Sequence, residues 1–286
     1  MKDMSGNIFC FDGIMHDISD SKLLANNSCE DLRIYEVVRI IDQVPLFLED
    51  HFLRLKASAQ AKNLNLALSL VQLKEGISQV VSMNHSQDAQ DAQDLNNCNC
   101  MIICFLIKGN FHYMIYVRKH YYPSSNEYLN GVKVEMLEIE RCDPNIKYID
   151  ERYNALTNQA KAKPGVFEVL LVNNQGFITE ASKSNVFFIK GGAVITPPAE
   201  RVLMGVTRKH VIEAVLNCGV ELIEADLSKI SLKDCDGLFL SGTSIQVLPV
   251  SSVRDINFST STDAIFLKIK NEFEKAVLKY IKKDET

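Results

Sequence analysis

The sequence lacks long apolar runs: no stretch of its 286 residues approaches the roughly 20 apolar residues that a membrane-spanning helix needs. Its N-terminus lacks a basic segment leading into an apolar run, so a cytoplasmic protein without a membrane partner is expected. Positive charge is also scarce, with 31 Lys and Arg against 36 Asp and Glu. Nucleic acid is therefore not an expected partner, and a small metabolite is favoured.

Closely spaced cysteine pairs are nearly absent as well. Of the eight cysteines, only Cys98 and Cys100 lie close together in the sequence, and no second pair completes a recognisable zinc-ligand spacing. No metal site is predicted. Most of the other cysteines stand beside apolar residues, which favours buried free thiols over disulfides.

The elements that are present indicate a mixed α/β protein. A hydrophobic content of 47% suffices for a large core in one or two domains. Strands are predicted within residues 7–15, 33–48, 101–117, 131–137, 167–179, 185–196 and 238–240, and helices from residue 49 and over 69–82, 150–162, 207–216 and 264–281. The tandem Asp-Ala-Gln tract after residue 86 is interpreted as a solvated loop. A Pro/Ser-rich stretch, Tyr121–Asn126, predicts a linker and hence domains of residues 1–122 and 123–286.

Lys147 is the first residue with a chemical interpretation. Lysine alone supplies a primary side-chain amine that can form an imine with an aldehyde and then move away. In isolation, a lysine between Ile146 and Tyr148 is more often a surface residue at the edge of a strand. The motifs that follow it favour the chemical interpretation.

Glu180 lies in the motif Thr-Glu-Ala-Ser-Lys-Ser-Asn, which ends at Asn185. A carboxylate beside a pyridine nitrogen would keep that nitrogen protonated through a charge-assisted hydrogen bond. The alternative is that Ser182, Ser184 and Asn185 are simply turn-forming residues.

The run Met-Gly205-Val206-Thr207-Arg opens a predicted helix. Unpaired N–H groups and the helix dipole favour a phosphate at such a position, and Gly205 would allow the backbone to approach it closely. An ordinary N-cap at Thr207 would explain the same residues without a ligand.

Taken in this order and at these separations, the motifs resemble those of the class IV aminotransferases, the fold-type IV pyridoxal-phosphate enzymes. That family includes branched-chain and D-amino-acid aminotransferases and aminodeoxychorismate lyase. The match extends from about Tyr35 to Pro249 and implies a smaller N-terminal α/β domain and a larger C-terminal pseudo-barrel domain. Lys147 matches the family's Schiff-base lysine, and Tyr35 matches a residue of its substrate pocket. The cofactor-binding residues that the resemblance implies are Lys147, Glu180, Arg54, Ser184, Asn185, Gly205, Val206, Thr207, Gly242 and Thr243.

The function that this resemblance implies is amino transfer between an amino acid and a 2-keto acid, in a homodimer that carries pyridoxal 5'-phosphate. An aminodeoxychorismate lyase that uses the same lysine to release pyruvate is the alternative. A third possibility is a degenerate member that binds the cofactor without catalysis, because the segment Asn26–Leu32 replaces the family's glycine-rich approach to Tyr35.

Overall fold

The computed structural model describes residues 3–21, 32–85 and 97–284. Its contacts group the chain into two compact units. The first contains Met1–Tyr121, Ile146–Ile149 and Tyr280–Thr286, and the second contains Tyr122–Asn145 and Asp150–Lys279. The division at residue 122 into two continuous domains stays a prediction. The Asp-Ala-Gln tract and residues 26–31 of the approach to Tyr35 lie outside the described residues.

An antiparallel sheet and two helices make up most of the first unit. Its elements are β1 (Met4–Phe11), β2 (Ile14–Asp17), β3 (Arg33–Ile41), β4 (Val44–Pro45), α1 (Leu48–Ala61), α2 (Leu70–His85), β5 (Asn97–Ile107) and β6 (Asn110–Arg118). The strands pair in the order β2-β1-β6-β5-β3-β4. Leu55 of α1 and Ile77 of α2 share a buried apolar cluster with Ile34 of β3, so both helices cover one face of the sheet.

Burial alternates along β3, as expected for a strand with two differently covered faces. Ile34, Glu36 and Val38 are buried, whereas Tyr35 and Val37 between them are partly buried and pack against a separate apolar cluster. The alternation sends the side chains of Tyr35 and Glu36 to opposite faces of the sheet. This difference between neighbouring residues determines what each of them contacts.

A mixed ten-stranded sheet dominates the second unit. The remaining elements of the chain are α3 (Ser125–Asn130), β7 (Val132–Glu138), α4 (Glu151–Lys161), β8 (Glu168–Val172), β9 (Phe177–Ala181), β10 (Asn185–Lys190), β11 (Ala193–Thr196), α5 (Val206–Asn217), β12 (Leu222–Glu224), β13 (Leu227–Ser228), β14 (Gly237–Gly242), β15 (Gln246–Val253), β16 (Ile256–Asn257) and α6 (Ala264–Asp284). The strand order is β12-β11-β10-β14-β15-β7-β8-β9-β13, with β16 paired to β15.

This sheet curls around its own apolar core. Leu170 of β8, Ile178 of β9, Val186 of β10 and Leu240 of β14 belong to one buried cluster, although β9 and β10 lie far apart in the strand order. Strands that are distant in a sheet can share a core only if the sheet bends. The prediction of a mixed α/β fold is confirmed.

The predicted helices are confirmed, and the structure adds a short helix after Pro123. Helix α3 begins at Ser125, within the stretch interpreted as irregular. The Ser124 hydroxyl accepts a hydrogen bond from the backbone N–H of Glu127, whose carboxylate accepts one from the Ser124 N–H at 2.7 Å. This capping box stabilises a helix start despite the neighbouring proline.

The cysteines are free thiols in the described part of the chain. Cys10, Cys98, Cys100, Cys104 and Cys235 are buried, whereas Cys218 is half-buried and Cys142 is exposed. The prediction of buried thiols, made for the six cysteines other than Cys98 and Cys100, is therefore confirmed for three of them and wrong for Cys142, and Cys29 lies outside the described residues. No described helix is both long enough and apolar enough to cross a membrane.

Candidate active site

The segment that carries Lys147 runs beside β3 and forms an isolated antiparallel bridge between Tyr148 and Ile34. Tyr35 donates its backbone N–H to the carbonyl of Lys147 at 3.1 Å, and Ile149 donates to the carbonyl of Arg33 at 2.8 Å. The backbone N–H of Lys147 is bonded to the Ser58 hydroxyl of α1 at 3.2 Å. These bonds fix the register of the segment, so the position of Lys147 relative to Tyr35 is set by the backbone.

The ammonium group of Lys147 lies 4.6 Å from the centre of the Tyr35 ring. A cation over an aromatic face is attracted by the ring quadrupole. Tyr35 and Ile149 pack against the apolar cluster that contains Met101, Ile103 and Tyr116. The predicted catalytic lysine and the predicted substrate-contacting tyrosine are therefore neighbours, and the tyrosine packs on an apolar cluster.

Arg54 is held by a buried carboxylate on β3. Its Nε and Nη2 donate to the two oxygens of Glu36 at 2.7 and 2.6 Å, which is a bidentate pair. Nδ1 of His51 lies 2.8 Å from Glu36 Oε2. Arg54 and His51 stand three residues apart on α1, so they project from the same side of that helix.

The titration of this cluster follows from its burial and its charges. Burial alone would raise the pKa of Glu36, but the Arg54 charge and the hydrogen bonds from Arg54 and His51 bring the pKa to about 2. Burial lowers the pKa of His51, the bond to Glu36 opposes that shift, and the charges of Arg54 and Lys147 add to it. Glu36 is thus ionised at neutral pH and His51 is neutral, which makes Nδ1 the hydrogen-bond donor.

Glu180 is a buried carboxylate at the end of β9. Its Oε2 accepts the backbone N–H of Leu203 at 3.2 Å, and its Oε1 lies 3.4 Å from Nη1 of Arg141. The guanidinium of Arg141 also stands 5.5 Å from the ring centre of Tyr153. Glu180 is therefore fixed by one backbone donor and one cation within the second unit.

Leu203 connects three of the predicted residues. Besides donating to Glu180, it accepts hydrogen bonds through its carbonyl from Nδ2 of Asn185 at 2.9 Å and from the N–H of Gly205 at 2.7 Å. A Cβ atom at Gly205 would lie 2.1 Å from Oδ1 of Asn185, far inside the contact limit. The absence of a side chain at this position is what lets Asn185 reach the turn.

The start of helix α5 differs from the interpretation of Thr207 as an N-cap. Gly205 is the N-cap, no side chain caps the helix there, and Thr207 lies inside the first turn. The simple capping explanation of Thr207 is therefore wrong. The first N–H groups of a helix have no intrahelical acceptor, so Val206 and Thr207 present donors that suit an anion.

Two buried hydroxyl groups of the second unit have no hydrogen-bond partner among the described residues: Ser184 Oγ and Ser241 Oγ. A Cβ at Gly242 would stand 3.4 Å from the Cβ of Ser184. Gly242 leads into the turn that carries Thr243, and Tyr128 holds this turn by donating to the carbonyl of Ile245 at 3.0 Å. Unsatisfied buried hydroxyls are costly, and a polyanionic ligand such as a phosphate would satisfy them, so these residues fit the predicted cofactor.

The structure thus places the predicted residues in two groups. Tyr35, Arg54 and Lys147 belong to the first unit, and the others belong to the second. Four residues that contact the site or its surroundings were not predicted. Glu36 bonds Arg54, Arg141 faces Glu180, and Leu203 accepts a bond from Asn185. The fourth is Asn145, whose Nδ2 donates to the carbonyls of Ala199 and Val202. Only Glu36 carried a signal, since a charge on the inward face of an alternating strand requires a partner.

Gly205→Ala is expected to weaken binding of pyridoxal phosphate at least about tenfold and to destabilise the fold by about 1–3 kcal/mol, because the new methyl group collides with Asn185. Equilibrium dialysis and thermal unfolding would measure the two effects. In the double variant Gly205→Ala/Asn185→Ala, the obstructing amide is gone, so the methyl group should cost less than it does alone. An unaltered dissociation constant in Gly205→Ala would contradict the prediction.

The chain is similar to known proteins over most of its length. The family model for amino-transferase class IV matches residues 33–253. A D-alanine aminotransferase of Bacillus licheniformis is 26% identical over 240 residues, which cover 77% of this chain and 78% of that protein. A putative branched-chain-amino-acid aminotransferase of Methanocaldococcus jannaschii is 26% identical over 261 residues, covering 84% and 85%. The solved branched-chain amino acid aminotransferase from Escherichia coli has a TM-score of 0.78 at 22% identity, covering 96% of this chain and 95% of that chain.

Proposed function

The chain belongs to the class IV aminotransferases, a family of pyridoxal-phosphate enzymes, and on that premise we propose that it transfers the amino group of a branched-chain amino acid to a 2-keto acid. One observation carries the proposal. The amine of Lys147 is held over the Tyr35 ring by a backbone segment that is hydrogen-bonded along β3. A lysine whose backbone is fixed and whose side chain is long and flexible can both hold the cofactor and move a proton.

The bound cofactor supplies an electron sink, which stabilises the negative charge left on an amino acid when its α-proton is removed. Lys147 would take that proton on Nζ as a base and later release it as an acid, so one amine would serve both proton transfers. Tyr35 limits where the amine can go, because its ring occupies one side of the Lys147 side chain. The apolar residues packed around Tyr35 are proposed to limit the access of water to the Lys147 amine during proton transfer.

Glu180 is proposed to keep the ring nitrogen of the cofactor protonated. Its carboxylate is buried, and Leu203 and Arg141 fix its two oxygens. An ionised, oriented carboxylate gives a stronger hydrogen bond to a protonated nitrogen than water would give. Arg141 offsets part of the cost of burying the Glu180 charge.

The residues proposed to bind the phosphate are those that the family resemblance implies, and each is considered within its own unit. Arg54 would contribute a positive charge and a planar set of donors. In the second unit, the donors would be the backbone N–H groups at the start of α5 and the hydroxyls of the serine and threonine residues nearby. The proposed set is Arg54, Ser184, Asn185, Gly205, Val206, Thr207, Gly242 and Thr243.

The side chains around Tyr35 support an aliphatic substrate. Tyr35, Val37 and Ile149 are partly buried and pack on an apolar cluster that includes Met101 and Ile103. Transfer of an apolar side chain to such surroundings is favourable by about 25 cal/mol for each Å² removed from water, whereas a charged side chain would be penalised. A branched aliphatic amino acid meets this requirement. We further propose that the enzyme is a homodimer, as the family resemblance implies, which sedimentation equilibrium would test.

The test is to supply the enzyme with pyridoxal phosphate, one amino acid and a panel of 2-keto acids, and to measure the new amino acid and the new keto acid together. The proposal expects equal amounts of both, with leucine, isoleucine and valine preferred over D-alanine and aspartate. In parallel, aminodeoxychorismate is offered and pyruvate is measured. Rapid pyruvate release without turnover on any keto acid would establish the lyase alternative, and binding of the cofactor without product in either assay would indicate a degenerate member.

A further inference from the structure

The cluster formed by Glu36, His51 and Arg54 is unusual for its burial. The side chains of Glu36, His51 and Arg54 are 1%, 3% and 10% exposed. Removing a carboxylate and a guanidinium from water is costly, and well-packed apolar side chains of similar volume often give an equally stable core. Stability alone therefore gives little reason for an ion pair between β3 and α1.

The geometry of the pair restricts the orientation of Arg54. Two parallel N–H···O bonds fix the plane of the guanidinium as well as its distance from Glu36. His51 bonds to Oε2 of the same carboxylate, so Glu36 cannot rotate without breaking a bond to one of its two partners. Because His51 is neutral, it holds the carboxylate without adding a second positive charge beside Arg54.

We propose that Glu36 is a positioning residue, which holds the guanidinium of Arg54 in the orientation that receives the phosphate of the cofactor. This inference rests on the proposed function, in which Arg54 binds that phosphate. Glu36 accepts two of the five N–H donors of a guanidinium, so the pairing does not by itself exhaust Arg54. The benefit is preorganisation: a long side chain that is already ordered loses less conformational entropy when it binds its ligand.

The experiment compares two probes that differ only in the phosphate, pyridoxamine 5'-phosphate and pyridoxamine. Neither forms a covalent bond with lysine, so the comparison is independent of Lys147. Their dissociation constants are measured by calorimetry for the cofactor-free wild type and for Glu36→Gln, Arg54→Met and the double variant. Glu168→Gln is the matched control, because Glu168 is another buried, ion-paired carboxylate that lies in the second unit.

Arg54→Met should weaken the phosphorylated probe by about 100-fold relative to pyridoxamine, and Glu36→Gln should weaken it by about tenfold. The double variant should be no weaker than Arg54→Met, because Glu36 acts through Arg54. Glu168→Gln should leave the ratio of the two dissociation constants unchanged. Glu36→Asp keeps the negative charge but shortens the side chain by one methylene, so its affinity for the phosphorylated probe should lie between those of the wild type and Glu36→Gln. It also provides a second test if Glu36→Gln folds poorly.

Three results would overturn the inference. The first is that Glu36→Gln and Glu36→Asp weaken binding of both probes equally, and the second is that neither variant weakens binding of either probe. The third is that adding Glu36→Gln to Arg54→Met further weakens binding of the phosphorylated probe alone. If Arg54→Met itself leaves the ratio unchanged, the phosphate assignment in the proposed function fails along with the inference. A selective loss in Arg54→Met without one in the two Glu36 variants refutes the inference alone.

Discussion

Lys147→Ala is expected to lower the rate of amino transfer by at least about 10³-fold, the largest effect of any single substitution considered for this chain. General acid–base catalysis by one positioned group contributes about 10²- to 10⁴-fold, and the lysine would also hold the cofactor covalently. The rate is measured from keto-acid formation in a single turnover. Borohydride reduction, followed by mass spectrometry, reports whether the cofactor has been fixed to the protein.

Two control variants separate chemistry from charge. Lys147→Arg retains a cation over Tyr35 but cannot form an imine, so it should be as inactive as Lys147→Ala. Lys163→Ala removes an amine whose side chain is 63% exposed and paired with Glu135, and activity should be unchanged. Added methylamine should partly restore proton transfer in Lys147→Ala. Activity above a tenth of the wild-type rate in Lys147→Ala, without any added amine, would mean that another group moves the proton.

The sequence predicts the parts of the fold that depend on local chemistry. Helix α4 begins at an Asp150 cap and ends before Pro164, and both signals lie within a few residues of the helix. Asn173 bonds the turn between β8 and β9 through its own side chain, as turn-forming residues commonly do. Such features need no information from distant parts of the chain.

Contacts between distant segments could not be predicted in this way. The segment of Lys147 pairs with β3 because Tyr35 donates its N–H to Lys147 and Ile149 donates its N–H to Arg33, and no residue pattern near Lys147 specifies that partner. Arg141 faces Glu180 because β7, which precedes Arg141, and β9, which carries Glu180, both pair with β8, although an arginine before Cys142 resembles any exposed charge in the sequence. Such contacts are determined by tertiary packing, which overrides local propensity.

Gly205 illustrates how far a local interpretation of the sequence extends. A glycine before a helix that starts with Val206 and Thr207 indicates an anion site, and this much follows from the backbone chemistry of helix ends. The collision that an added methyl group would have with Asn185 was not visible, because Asn185 comes from a different strand. The motif therefore predicts the kind of site, whereas the strand that carries Asn185 explains why an added methyl group would collide there.

Glu180→Gln is expected to reduce the rate of α-proton removal by about 10²- to 10³-fold. Gln still accepts the Leu203 N–H, so the position of the side chain is retained, but the negative charge that would keep the cofactor's ring nitrogen protonated is lost. Removing one preorganised group that stabilises charge in a transition state costs about 10²- to 10³-fold in rate, because each 1.36 kcal/mol in a barrier is tenfold. Exchange of the substrate α-proton in deuterated water, followed by NMR, measures this step directly.

The single variant also deprives the guanidinium of Arg141 of its carboxylate, and a second substitution separates the two effects. Glu180→Gln/Arg141→Met removes the guanidinium along with the carboxylate, so it should regain stability while exchange stays slow. Glu180→Asp retains the charge and should lose less activity than Glu180→Gln. If the double variant instead recovers wild-type exchange, the function of Glu180 is to neutralise Arg141. The protonation of the cofactor would then have to depend on another group of the site.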